Sequence, residues 1–220
     1  MKKIFSFMSM VFVITLSIHA NYQPKFSTAG FFQLSNTGRE VFSMNPAWRM
    51  HKGHVEGAEK EDFNDKDWKV CSLPDGTELL PSEGSGCVNF QGETWYRKHF
   101  KPQDSWRGSR LSLYFEAIMG KSKVWINGKL LKEQKGGYLP VIIDVTNELK
   151  YNEDNVITVV SDNSDDASYP PGKFQDVLDF TYAGGIYRDC WLVKHGSVFI
   201  TDPNKEDIVA GGGLFVAYDN

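Results

Sequence analysis

Apolar residues in this chain recur at every second position over short stretches, and no long stretch repeats them at helical spacing. Leu111, Leu113 and Phe115 alternate with Ser112, Tyr114 and Glu116, the pattern of a strand with one buried face. Residues 123–126 and 129–131 flank Asn127-Gly128, which suits a type I′ turn because both of its central residues need positive φ. That predicts a hairpin. Residues 138–145 read as another strand, with Pro140 pointing to an edge or a bulge. Residues 155–161 form a nearly continuous β-branched run, which suits a strand covered on both sides. A later strand spans 187–194, with Trp191, Leu192 and Val193 as its apolar content.

Between these strands lie two long irregular segments, 52–93 and 162–185, both rich in Gly, Pro, Asp, Asn and Ser. Loops that long in a compact domain are usually functional or else disordered. Many short strands punctuated by turn residues predict an all-β sandwich, with the strand order left open. Residues 199–220, interrupted by Gly211-Gly212-Gly213, predict two opening strands of a second β-domain. An isolated hairpin is marginal in water, so this tail is expected to fray or to pack on the first domain.

Composition narrows the functions. The 220 residues are 41% hydrophobic and 24% charged, ordinary for a globular chain and enough for one well-buried core. A net charge of −4, without a concentrated basic stripe, argues against a nucleic-acid partner. Six Trp and nine Tyr fit a β-rich core, with some rings available to stack on sugar faces. Lys2 and Lys3 followed by an apolar run to Ile18 and then Ala20 predict a secretory signal over residues 1–20. The mature chain would begin near Asn21, exported to the periplasm or beyond, with no membrane contact after cleavage. An uncleaved anchor is the lesser reading. Cys71, Cys87 and Cys190 are odd in number, so at least one stays free or pairs with another chain, and Cys71 with Cys87 could close a loop. No spacing suggests zinc, and His51 and His54 read as a solvated loop.

Seven segments, taken in order, carry a resemblance. They are Glu93-Thr-Trp-Tyr-Arg-Lys-His-Phe100, Leu113-Tyr-Phe-Glu-Ala117, Val124-Trp-Ile-Asn-Gly128, Gly136-Gly-Tyr-Leu-Pro140, Asp144-Val-Thr-Asn147, Asn155-Val-Ile157 and Gly184-Gly-Ile-Tyr-Arg-Asp189. Together, over residues 31–198, they resemble the N-terminal sugar-binding domain of family 2 glycoside hydrolases. Residues 162–172 and 178–182 resemble the β-galactosidase-like members more than the glucuronidase or mannosidase branches. The resemblance implies a jelly-roll β-sandwich of the galactose-binding-domain type over 21–197. It implies the first strands of an incomplete immunoglobulin-like sandwich over 198–220. In that family a downstream barrel supplies the catalytic carboxylates, so no residue here is assigned to catalysis, and this chain is expected to be inactive alone.

Cleavage with retention needs two carboxyl groups about 5–5.5 Å apart. The densest acidic group is Asp162, Asp165 and Asp166, followed by Asp176 and Asp179. Such a loop is most often solvated and turn-forming. The functional alternative is that ionised Asp side chains accept hydrogen bonds from sugar hydroxyls while a ring covers the apolar sugar face. The resemblance makes Asp179 the first candidate sugar contact, supported by Phe180 and Tyr182, with Asp176 as its rival; Asn89 in the other loop could offer its amide. A cation held by these acids matches no calcium-loop pattern, and no cofactor or metal is assigned. Trp95, Tyr96, Trp125 and Trp191 read as core. Arg97 and Arg188 read as structural ion pairs with Glu116 or Asp189, and Gly184-Gly185 marks a turn or close backbone approach. Two functions compete: the front module of a β-glycosidase acting on β-galactoside-like glycans, or a free-standing carbohydrate-binding module. A remnant of an interrupted coding sequence is the third possibility.

Overall fold

The computed structural model describes residues 33–34, 39–77, 90–180, 182–209, 211–214 and 216–218. These form an all-β jelly-roll sandwich. Its strands are β1 (Gln33–Leu34), β2 (Glu40–Ser43), β3 (Trp48–Lys52), β4 (Lys69–Cys71), β5 (Glu93–Phe100) and β6 (Arg110–Phe115). They continue with β7 (Gly120–Ile126), β8 (Lys129–Gly136), β9 (Val141–Asp144), β10 (Asn155–Asp162) and β11 (Cys190–His195). One sheet runs β1-β2-β11-β6-β9, the other β4-β3-β5-β10-β7-β8, with antiparallel neighbours throughout.

The period-2 pattern dictates what faces inward. Leu111, Leu113 and Phe115 of β6 meet Phe42, Ile143 and Leu192 of the same sheet and Tyr96, Phe100, Val124, Ile126, Ile157 and Val159 of the other. Each such side chain, once fully buried, stabilises the fold by about 1.5–3 kcal/mol. The Asn127-Gly128 hairpin forms between β7 and β8, with φ of 50° and 80° at the two residues. Asn127 also ties the turn to β10, donating to Asn155 Oδ1 at 2.9 Å and accepting from the Val156 N–H at 3.0 Å. β9 begins just after Pro140 and lies at a sheet edge, where a missing N–H is tolerated.

β10 lies between β5 and β7 and is buried from Asn155 to Ser161. Its outer face is covered by residues 53–68, which the sequence left as part of an irregular loop. Ala58, Phe63 and Trp68 pack over Trp95, Trp125 and Val160. A buried charge cluster fastens this cover. Asp65 accepts from Arg97 Nε at 2.8 Å, pairs with His99 Nε2 at 2.6 Å and meets Arg49 Nη1 at 3.2 Å. Arg97 therefore pairs with Asp65, not with Glu116 or Asp189, because its side chain leaves the outer face of β5. Arg188 is exposed and lies over the Tyr187 ring.

His51 stacks against Trp68 at 5.5 Å and His54 bonds Glu93 at 2.8 Å, so both are engaged at the edge of the cover. Cys190 and Cys71 are free thiols; burial pushes the first well up and the second up to about 12, leaving both protonated. Cys87 lies outside the described residues.

The described part of 198–220 differs from the expected pair of strands. It holds one short helix, α1 (Pro203–Glu206), capped by Asp202, whose carboxylate accepts from the Asn204 N–H at 2.8 Å. Proline at the start of that turn and an aspartate cap favour a helical turn locally. A strand there has no described neighbour to pair with, and Lys205 instead reaches back to Asp144 of β9 at 3.5 Å.

Candidate functional site

The acidic loop 162–185 leaves the end of β10 and is pinned at its root. Asn163 donates to the Phe90 carbonyl at 2.7 Å and accepts from the Gly92 N–H at 3.0 Å. Asp162 accepts from Ser164, and Asp165 accepts from Gln91 Nε2 at 2.7 Å and the Gln175 N–H at 3.1 Å. Asp166 bonds Ser168 and Lys121, which hold its carboxyl well below the usual range and raise the Lys121 ammonium in turn. The three acids thus address separate partners and act as turn-formers.

The return limb approaches the sheet closely. Gly185 takes a φ of +74°, and a Cβ there would stand 2.1 Å from the Tyr96 hydroxyl, so only glycine fits. Tyr96 donates to Asp75 at 2.9 Å, and Thr77 lies 3.3 Å from the same hydroxyl. Burial pushes the Asp75 carboxyl up against the opposing pull of that hydrogen bond. Its partner is a phenol, whereas glycoside cleavage with retention requires a second carboxyl.

Past the root, a single 3₁₀ turn at Gln175–Val177 sorts the side chains. Gln175 and Leu178, three apart, turn inward; Asp176 and Asp179 stand exposed among Phe174, Val177 and Phe180, which are 54%, 65% and 48% exposed. Asp176, Asp179 and Phe180 are thus all exposed within residues 174–180, the crest of the loop. Tyr182 is not on it. Its ring is buried against Met119 and Leu178, and its hydroxyl bonds Gln175 and Asp165. Burial, the largest cause, raises its pKa. Asn89 lies outside the described residues.

A second feature escaped the sequence reading. A groove of about 640 Å³ runs along the outer face of the five-stranded sheet, floored by Val41, Tyr114, Trp191 and Val193 and walled by residues of the 196–205 segment. Trp191, read above as core, is only half-buried because it points outward, with its indole N–H donating to Glu116 at 2.9 Å. The available signal was parity: Trp191 and Val193 are apolar at positions opposite to the inward Leu192.

Known proteins align with this architecture. A profile of the sugar binding domain of glycosyl hydrolases family 2 matches residues 61–196. A β-galactosidase of Thermoanaerobacter pseudethanolicus is 34% identical over 166 residues, covering 75% of this chain and 22% of that protein. A β-glucuronidase of Formosa agariphila is 29% identical over 192 residues, covering 81% and 19%. Among solved structures, a family 2 β-glucuronidase superposes with a TM-score of 0.65 at 26% identity, covering 77% of this chain and 19% of that one. The chain spans 19% to 22% of the length of these relatives. With the profile covering more than half of its residues, the chain belongs to glycoside hydrolase family 2, in the region of that family's sugar-binding domain.

Proposed function

We propose that this chain is the non-catalytic front domain of an exported family 2 glycosidase acting on terminal β-galactosides. In this reading the crest of loop 162–185 meets the sugar in a pocket completed by a catalytic barrel. The observation that carries it is the contrast within the loop: a root held by Asn163, Asp165 and Asp166, and a crest presenting Asp179 and Asp176 beside Phe180. A pinned support with exposed carboxylates and a ring face can orient sugar hydroxyls without the entropy cost of ordering a free loop. The β-galactosidase relative favours a galactoside; export rests on Lys2, Lys3 and the apolar run that follows.

The purified chain should release no nitrophenol from nitrophenyl β-galactoside. Turnover that disappears in Asp179→Ala would overturn the non-catalytic reading. Calorimetry with galactose and lactose should give millimolar binding or none, whereas micromolar affinity would favour a free-standing binding module. The groove on the five-stranded sheet is the feature that speaks for that second reading.

A further inference from the structure

The outer face of the five-stranded sheet has an ordered chemistry set by register. Trp191 is paired directly with Tyr114, which is paired with Ile142, giving one row of aromatic and aliphatic side chains. The next row joins Val41, Val193 and Ser112. Beyond it the groove turns polar, with His195, Arg39, Asp202 and Lys205. An aromatic floor with a hydrogen-bonding end suits a ligand that is apolar on one face and polyhydroxylated at its edge.

His195 decides between occupants. It is 8% exposed, and its Nδ1 is buried without a hydrogen-bond partner among the described residues. The ring is fixed by stacking on Phe199 at 4.4 Å. Burial first, and then the Arg39 and Lys205 cations, push its pKa down, so it is neutral near pH 7. That nitrogen is already closed to water, and an apolar protein face laid on the groove would bring it no partner, an unfavourable outcome for a buried polar atom. A ligand hydroxyl would satisfy it. The cations are themselves held: Arg39 donates to the Ile200 carbonyl at 2.8 Å and Lys205 pairs with Asp144 at 3.5 Å. That favours a neutral ligand over an anionic one. The volume of about 640 Å³ lies within the ordinary range of small-ligand sites.

We propose that this groove is a second carbohydrate site, separate from the loop crest. A neutral pyranose at the end of a glycan would lie across Trp191 and Tyr114 with a hydroxyl on His195 Nδ1. The choice of a sugar rests on the carbohydrate-handling reading above, while the location of the site rests on the groove alone. Stacking on aromatic faces supplies the apolar part of the contact. The Trp191–Glu116 bond fixes the indole so that little order is lost on binding.

The test is titration of methyl β-galactopyranoside and lactose into the ¹⁵N-labelled chain, following the Trp191 indole resonance, assigned with Trp191→Phe. A saturable shift is expected. The affinity, read in all variants from the backbone amides of Ser112 and Val193 in the same groove, should weaken about tenfold or more in Trp191→Ala and stay the same in Asp179→Ala. Tyr114→Ala serves as the second variant if Trp191→Ala does not fold. Absence of any shift at Trp191 up to the solubility limit of both sugars overturns the site. So does a response confined to the 162–185 loop and abolished by Asp179→Ala, which would leave the crest reading standing. A Trp191 shift that follows protein concentration instead of sugar would assign the face to a second copy of the chain, against the proposal.

Discussion

Outside the six-stranded sheet, Trp95, Trp125 and Val160 lie under Ala58, Phe63 and Trp68; outside the five-stranded sheet, Trp191, Tyr114 and Val193 border an open groove. The strands beneath are alike in sequence terms, since both sheets carry apolar residues at outward as well as inward positions. They differ in what the chain lays on top. Residues 53–68 supply apolar contacts together with a charge clamp on Asp65, and the outward face of β5 and β10 becomes a second core. The 196–205 segment only walls its sheet, leaving a tryptophan partly exposed and a buried imidazole nitrogen unpaired among the described residues. An apolar outward face thus signals that something covers it, while the covering agent is decided elsewhere in the chain.

Breaking the clamp should have the largest effect. Arg97 is fully buried and Arg49 nearly so, and both face Asp65. Asp65→Ala would leave these guanidinium groups without their carboxylate, and removing one partner of a buried pair costs about 3–5 kcal/mol. A fall of the urea unfolding midpoint by the corresponding amount is expected. An unchanged midpoint would mean that apolar contacts alone seat the cover, and the distinction between the two faces would lose its electrostatic half.

Acid should act on the same point with a smaller effect. Burial raises the Asp65 carboxyl, but hydrogen bonds and charge from His99 and Arg97 outweigh it and hold the pKa below its usual value. A carboxyl lowered in the folded state stabilises the fold fully above its unfolded value of about 3.9. That contribution is lost as pH falls through the folded value. The urea midpoint of the native chain should therefore drop more steeply below about pH 4 than that of Asp65→Asn. Parallel curves would show that the clamp does not titrate in this window.

The sequence made the inner layer legible and the outer layers much less so. Alternation at Leu111, Leu113 and Phe115, the Asn127-Gly128 turn and the unbroken 155–161 run are local signals, each enforced by backbone geometry. The cover was not legible because its partners are distant: Asp65 meets Arg97 across 32 positions, and nothing in the spacing of either residue names the other. Trp191 read as core because alternation shows only that it faces opposite to Leu192, and the pairing of the strands is needed to say which of those faces is inside. In the acidic loop, the residue types were visible but their sorting was not. The 3₁₀ turn at Gln175–Val177 puts Asp176 and Asp179 outside, while burial against Met119 draws Tyr182 in.

The smallest effect is also the sharpest check on the comparison between faces. Trp95 is 5% exposed beneath the cover, and large-to-small substitution at such a site costs about 3–5 kcal/mol. Trp191→Ala should cost only about 1 kcal/mol. Its ring is already partly exposed to water, and the Glu116 carboxylate freed by the change can be hydrated instead of stranded. Thermal melting of the two variants side by side measures the ratio directly. Equal losses would mean that Trp191 is packed in the folded chain as tightly as Trp95. The five-stranded sheet would then have no open face, and no ligand could reach its aromatic row.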